Sequence, residues 1–467
     1  MALGRMVGQT KEGLFVVAYA CDVSYNPHPM CRLKLPVILA LILSACTNPR
    51  PAAETSLADF VDTLSAIDSH AHPLVYVAPG APADTDFDAL PLDGIPPFDL
   101  PVPLRASNPA YRDAQVSLYG IKPGDADSVR AARRNSGMHE HGDQFPSWVL
   151  DKLHIQTMLS NRVAMGTGLP SSRFKWVSFA DPLMLPLDTR AESERTPDTK
   201  ALYPLETKLL HRYLRDLGLA RIPPTLDDYL RNVVTATLQR QHEAGAVSIK
   251  FEAAYLRPLD FDPADSTGAA KVYARYSSGE VPPRAEYKTL QDFLIRYIAR
   301  EAGRLGLAVQ IHSLDQFGGH YSAQGAAPHL MDSMLSDSTL KSTNFVIIHG
   351  GWPKIEETLI QLKKPNVYAD ISMMDQLADS GTLQQALKSF LHAAPDKIMF
   401  GTDAFDGGAL QGWEQIAWVA SRNARRALSA ALAEMVKSNE ISDDRAIQLA
   451  RMVLHDNASA VYRLTDH

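Results

Sequence analysis

The chain has 467 residues, 45% hydrophobic and 21% charged, which suffices for a large core and for one barrel-sized domain with insertions. The formal net charge is −7, with acidic and basic residues interspersed, so the basic stripe of a nucleic-acid face is missing. All three cysteines, Cys21, Cys31 and Cys46, fall at or before a proposed export cleavage site, which excludes thiol catalysis in the mature protein.

The leader is read first. Met30-Cys31-Arg32-Leu33-Lys34 is a basic start, and Leu35 to Ala45 is an apolar run too short to cross a bilayer as a helix. The run ends in Leu43-Ser44-Ala45-Cys46, which resembles the lipobox of bacterial lipoproteins. That resemblance implies cleavage before Cys46, lipid on its thiol, and an enzyme tethered to the bacterial envelope on the periplasmic or outer side. On this reading residues 1–46 are a leader with its true start at Met30, 47–56 a polar tether, and 57–467 the folded domain. The alternative is a plain signal peptide with a chance cysteine.

A short amphipathic helix, about Leu57 to Leu64, leads into a series of apolar, β-branched runs separated by helical stretches. The runs are 65–69, 156–160, 174–179, 246–251, 308–311, 344–348, 366–371 and 397–400. Between the fourth and fifth, Leu290, Phe293, Leu294, Tyr297 and Ile298 recur at helical spacing within 287–305. Eight strands with intervening helices predict an α/β fold, a (β/α)₈ TIM barrel, because polar residues sit at the downstream strand tips where such barrels place their chemistry. Two connections, about 76–148 and 181–224, are too long for turns and are expected to rise from the rim as lids or substrate loops. Two final helices, 413–437 and 443–463, are expected to cover the barrel exterior.

The tips carry the chemistry. His70-Ala71-His72 ends the first strand, and side chains two apart on a strand share a face, so both imidazoles can reach one ion. His139-Glu140-His141 has the same spacing but lies in a Gly- and Asp-rich stretch without a preceding strand, and is read as surface loop. Lys250, His312, His349 and Asp403 each follow an apolar run directly.

This series, His-x-His on strand 1, Lys on strand 4, His on strands 5 and 6 and Asp on strand 8, resembles the amidohydrolase superfamily. Ile67-Asp68-Ser69-His70-Ala71-His72 and Gly401-Thr402-Asp403-Ala404 are similar to its amidohydrolase-related branch, amidohydrolase 2. The resemblance implies a divalent metal, zinc by family usage, held by His70, His72, His312 and Asp403. His349 is implied as a second-metal ligand or a general base. Lys250 has two implied versions: carboxylated and bridging two ions, or bare, with Glu252 in its place as ligand. An unmodified ammonium beside two cations would be repelled, whereas a carbamate supplies a bridging oxygen.

Bound zinc can lower the pKa of water from about 15.7 to about 7 and polarise a carbonyl. Asp403 is then expected to take the proton of that water and hand it to the leaving group. The predicted activity is hydrolysis of an amide, ester or lactone in a small molecule. A non-oxidative decarboxylase of the same branch is the alternative, and a non-catalytic binding barrel the third reading. Tyr255, Arg257 and Trp352 are weaker candidates for substrate contact, Arg257 through a planar pairing with a carboxylate. His154, His211, His242, His392 and His455 are read as uninvolved. Partners are a small-molecule substrate and, by base rate, a second copy of the chain.

Overall fold

The computed structural model describes residues 56–90, 100–122, 124–195, 197–315 and 323–464. Ser56 opens the domain as the N-cap of Leu57–Thr63, its hydroxyl accepting from the Asp59 amide. Eight strands follow: β1 Ala66–Ala71, β2 Ile155–Asn161, β3 Phe174–Phe179, β4 Ala246–Phe251, β5 Ala308–His312, β6 Phe345–Ile348, β7 Val367–Asp370 and β8 Ile398–Met399. They pair in parallel in the order β1 to β8. Backbone bonds from Ser69 to Phe400 (3.0 Å), Asp403 to His70 (2.7 Å) and His72 to Ala404 (2.7 Å) bring the two ends of the sheet together. The result is the expected TIM barrel, with each strand within a residue or two of its predicted run. Strands such as Phe345-Val346-Ile347-Ile348 are buried throughout, because helices cover one face and the barrel interior the other.

Both long connections contain helices among the described residues. The β1–β2 connection contains the helices Pro109–Tyr119 and Asp127–His141 and runs into Phe145–Lys152. Asn108 caps the first of these, Pro109 starts it, and Gly120 ends it in the left-handed region at φ 61°. Arg134 ties the connection to the body through a bidentate pair with buried Glu414. His139 and His141 therefore end a helix, not the loop expected from their Gly- and Asp-rich surroundings, although His139 is exposed as predicted. In the β3–β4 connection, Tyr203–Asp216 buries Leu209, Leu210, Tyr213 and Leu214 at helical spacing.

The C-terminal expectation needs one correction. Trp413–Lys437 is a helix as read, but the last stretch is Asp443–Arg451, a π-helical turn Met452–Asp456, and Asn457–Val461. Its end does not lie on the barrel exterior. Ala458, Val461 and Tyr462 pack against Ile67, Leu159, Val177, Val346 and Met399, the inward-facing residues of the strands, and so seal the base of the barrel. Among the described residues no helix is long and apolar enough to cross a membrane. The leader, Cys46 and the tether up to residue 55 lie outside the described residues.

Candidate metal centre

The closed barrel brings the predicted tips to one end. His70 is fully buried within β1 and His72 follows directly, their ring centroids 5.2 Å apart. Lys250, 1% exposed, pairs in register with Phe179 on one side and Gln310 on the other. His312 ends β5. His349 and Asp403 follow β6 and β8 with φ of 67° and 48°, a left-handed conformation that costs a non-glycine residue about 1–3 kcal/mol. Surrounding bonds hold both. The His349 amide donates to Asp370 Oδ1 (2.8 Å), and Gln376 Nε2 donates to the carbonyls of Thr402 (2.7 Å) and Asp403 (3.2 Å).

All six side chains meet. Lys250 Nζ lies 3.1 Å from His70 Nε2, which is 3.3 Å from Asp403 Oδ1. His72 Nε2 is 3.5 Å from the same carboxylate oxygen, and His349 Nδ1 is 3.9 Å from Asp403 Oδ2. His349 Nε2 in turn faces His312 Nδ1 at 3.1 Å. Donor atoms of His70, His349 and Asp403 lie within 4.8 Å of one another.

Electrostatics suit these groups to a cation. Burial, followed by the Lys250 charge, holds the His70 and His312 imidazoles well below their ordinary pKa. Burial does the same to His349 against the pull of Asp403. Neutral rings keep a lone pair free for a metal. On His70 the partners decide which nitrogen that is. Gln310 Oε1, 3.2 Å from Nδ1, can only accept, so the proton sits on Nδ1 and the Nε2 lone pair points to Lys250 and Asp403. Asn161 Nδ2 lies 2.9 Å from the same Nδ1 and competes with that tautomer. Turning the amide would present Asn161 Oδ1, which otherwise has no partner, as a second acceptor, at the cost of the 3.3 Å bond from Nδ2 to the Ala71 carbonyl. Lys250 Nζ approaches His70 Nε2 from strand β4.

Imidazole and carboxylate donors gathered within 4.8 Å in a buried pocket fit a divalent ion. His70, His72 and Asp403 would hold it, with His312 and His349 beside them. The Asp370–Ser372 pair, Gln310 and Asn161 are the orienting residues that the sequence reading missed. Asp370 is the last residue of β7, inside the predicted run 366–371, and Gln310 is a polar residue inside an apolar strand two before His312. Asp88 in the β1–β2 connection carries no such signal. Its Oδ2 comes within 3.0 Å of His72 Nδ1, close but out of line for a hydrogen bond.

The centre lies in a cavity of about 680 Å³. The β1–β2 connection supplies much of its wall, including Val77, Phe87, Asp88, Leu90 and Leu104, as expected of a rim insertion, whereas the β3–β4 connection contributes Thr199. Tyr255 lines the cavity, its ring 4.6 Å from that of His312. Two substrate-contact expectations are corrected. Arg257 is taken up by Asp292 (2.7 Å) and Gln291 (2.9 Å), because an unpaired buried guanidinium would be too costly, and it lines a different depression. Trp352 packs behind the wall against Leu104, Leu314 and Met373. Glu252 lines the cavity, and burial together with the neighbouring Asp88 charge raises its pKa well above the usual carboxylate range.

Comparison with known proteins agrees with this fold. In fold, the chain is similar to a Lactobacillus casei protein assigned as a metal-dependent hydrolase, with TM-score 0.56 and 18% identity over 87% of this chain and 97% of that one. It is also similar to glucuronate isomerase of Caulobacter crescentus (TM-score 0.54, 13% identity, 88% and 94% covered) and uronate isomerase of Thermotoga maritima (0.52, 15%, 87% and 96%). A curated relative, Protein fluG of Emericella nidulans, is 21% identical over 252 residues, 51% of this chain. The chain spans 28% of that relative's length. The amidohydrolase family model matches residues 220–464, which include Lys250, His312, His349 and Asp403 and leave the strand-1 histidines outside the match. With a matching segment of just over half its length and the barrel that such proteins share, the chain belongs to the amidohydrolase family.

Proposed function

We propose that the chain is a metal-dependent hydrolase that cleaves an amide, ester or lactone bond of a small molecule. The observation that carries this reading is the meeting of neutral His70, neutral His349 and Asp403 within 4.8 Å at the inner end of a largely apolar cavity. A bound divalent ion, for which zinc suits the imidazole and carboxylate donors, would supply Lewis acidity toward a carbonyl and acidify water. The chain's own residues do the rest. Asp403, 8% exposed, takes a proton on its carboxylate and returns it to the leaving group. His349, tied through Nδ1 to the Ser372 hydroxyl at 3.0 Å, keeps its ring turned toward the centre. The walls from the β1–β2 connection exclude water from the reacting groups.

In the two-ion version Lys250 is carboxylated, and the mass of one carbon dioxide on that residue together with two ions per chain is its test. The same reading places the mature enzyme on the bacterial envelope through lipid on Cys46, which labelling with a radioactive fatty acid tests.

The deciding experiment compares the metal-loaded protein with its Asp403→Asn variant on amide, ester and lactone panels. The variant should lose about 10²–10⁴-fold in kcat while keeping much of its metal. Turnover near the wild-type rate would remove Asp403 from the proton role. Release of carbon dioxide without hydrolysis would replace the hydrolase reading by a lyase.

A further inference from the structure

Resting on the hydrolase reading, we propose that the substrate carries an apolar group beside the bond that is cleaved, and that Phe87 is the residue that selects it. Much of the cavity wall is hydrocarbon with partners of its own. Leu104, Leu314 and Met373 pack together with Phe405, and Leu74 and Val75 pack on the main core. Phe87 and Val77 differ. Both are half-buried and line the cavity, yet among the described residues neither joins an apolar cluster, and no ring lies against that of Phe87. A phenyl ring that faces a cavity keeps hydrocarbon in water, and an apolar ligand is what removes it.

The backbone under Phe87 is fixed from outside the cavity. Asp84 pairs with the buried Arg162 through two bonds (3.0 and 2.9 Å) and accepts from the Val75 amide at 3.1 Å. Asp86 pairs with Arg212 at 2.6 Å, and its carbonyl accepts from the Val163 amide at 2.9 Å. Arg162 follows β2 and Arg212 lies in the helix Tyr203–Asp216, so a segment with neither helix nor strand of its own is tied at two points to other elements of the barrel. With its backbone held in this way, the ring has little left to order when a ligand meets it.

The same segment sets the distance from the chemistry. Asp88, the next residue, comes within 3.0 Å of His72, so Phe87 stands one residue from a group that meets a metal-binding imidazole. An acyl or alkyl group that reaches Phe87 therefore begins within a few bonds of the reacting carbonyl. The apolar character of the ring does not change with the charge carried by the centre. Hydrocarbon is recognised by area, so the preference should grow with each methylene that the cavity of about 680 Å³ can take in.

The test has a rate arm and a binding arm on the metal-loaded full chain. Phenyl esters and anilides of acetate, butyrate and hexanoate, with methyl-, propyl- and pentyl-substituted γ-lactones, cover the three bond types. In the series that is cleaved, kcat/KM should rise about two- to fourfold per methylene. Acetohydroxamate, butyrohydroxamate and hexanohydroxamate share a chelating head and differ in the same way, and their affinities by calorimetry should climb with a similar slope. Phe87→Ser should cut the ratio of longest to shortest member about tenfold in both arms, and Phe87→Leu should restore much of it. Arg212→Met, whose side chain lies outside the cavity, should lower the ratio by freeing Asp86, and it carries the test should Phe87→Ser not fold. Metal content should match wild type in all three variants. Flat or falling ratios in wild type overturn the proposal and leave the hydrolase reading intact wherever turnover is seen. A full slope retained in Phe87→Ser or in Arg212→Met overturns the assignment of Phe87. A slope in hydroxamate affinity with no turnover of any ester, anilide or lactone instead removes the hydrolase reading and leaves the apolar site standing.

Discussion

The path from the barrel base to the centre runs through one amide. Gln310 Nε2 donates to the Ser69 carbonyl and to the Tyr462 hydroxyl, both at 2.9 Å, while Oε1 receives the His70 ring at 3.2 Å. Tyr462→Phe removes one partner and leaves one buried N–H unpaired, at a cost of about 1–3 kcal/mol. The His70 contact survives, so metal affinity should hold. Gln310→Leu removes all three bonds and leaves the Ser69 carbonyl, the Tyr462 hydroxyl and His70 Nδ1 without Gln310. All three are bonds between neutral groups, each worth about 1 kcal/mol net, so the stability loss is about 2–4 kcal/mol. The His70 tautomer is then no longer set by Gln310, and metal affinity should fall about 10–100-fold. Urea unfolding of the metal-free proteins separates the stability losses, and competition with a chromophoric chelator reads the affinities. Wild-type metal affinity in Gln310→Leu would refute the orienting role, and equal affinity losses in both variants would refute the claim that Tyr462 acts on stability alone.

Two further outcomes follow from ion pairs far from the centre. Arg134→Met leaves Glu414 buried with the Tyr119 hydroxyl (2.8 Å) as its remaining side-chain partner. The loss should be about 3–5 kcal/mol in unfolding free energy, and a loss under about 1 kcal/mol would show that the β1–β2 connection is held by packing instead. Glu440 accepts from Ser438 (2.6 Å), Lys388 (3.0 Å) and His392 (2.6 Å), which push its pKa from 4.5 down to about 2. A carboxyl depressed on folding contributes stability above its unfolded pKa and loses it as pH falls through the folded value. Wild type should therefore melt above Glu440→Gln at pH 7, with the gap closing between about pH 4.5 and pH 2. A gap that stays constant to low pH would contradict the pairing.

The sequence by itself determined the parts of this protein that depend on neighbours along the chain. A strand buried on both faces writes itself as a continuous apolar run, and a side chain at its downstream end must lie at the barrel mouth. His70, His72, Lys250, His312, His349 and Asp403 were therefore legible, and with them the barrel and the family. Closure decided the rest. Gln310 acquires its role by touching residues 240 positions earlier and 152 later, and Arg257 loses its expected role to Asp292, 35 positions on. The final helix turned out to be a plug because its small and aromatic residues fit the apolar base that only a closed ring of strands creates. Such contacts depend on which distant groups the folded chain leaves unpaired, and a local pattern of apolar and polar residues carries no record of that.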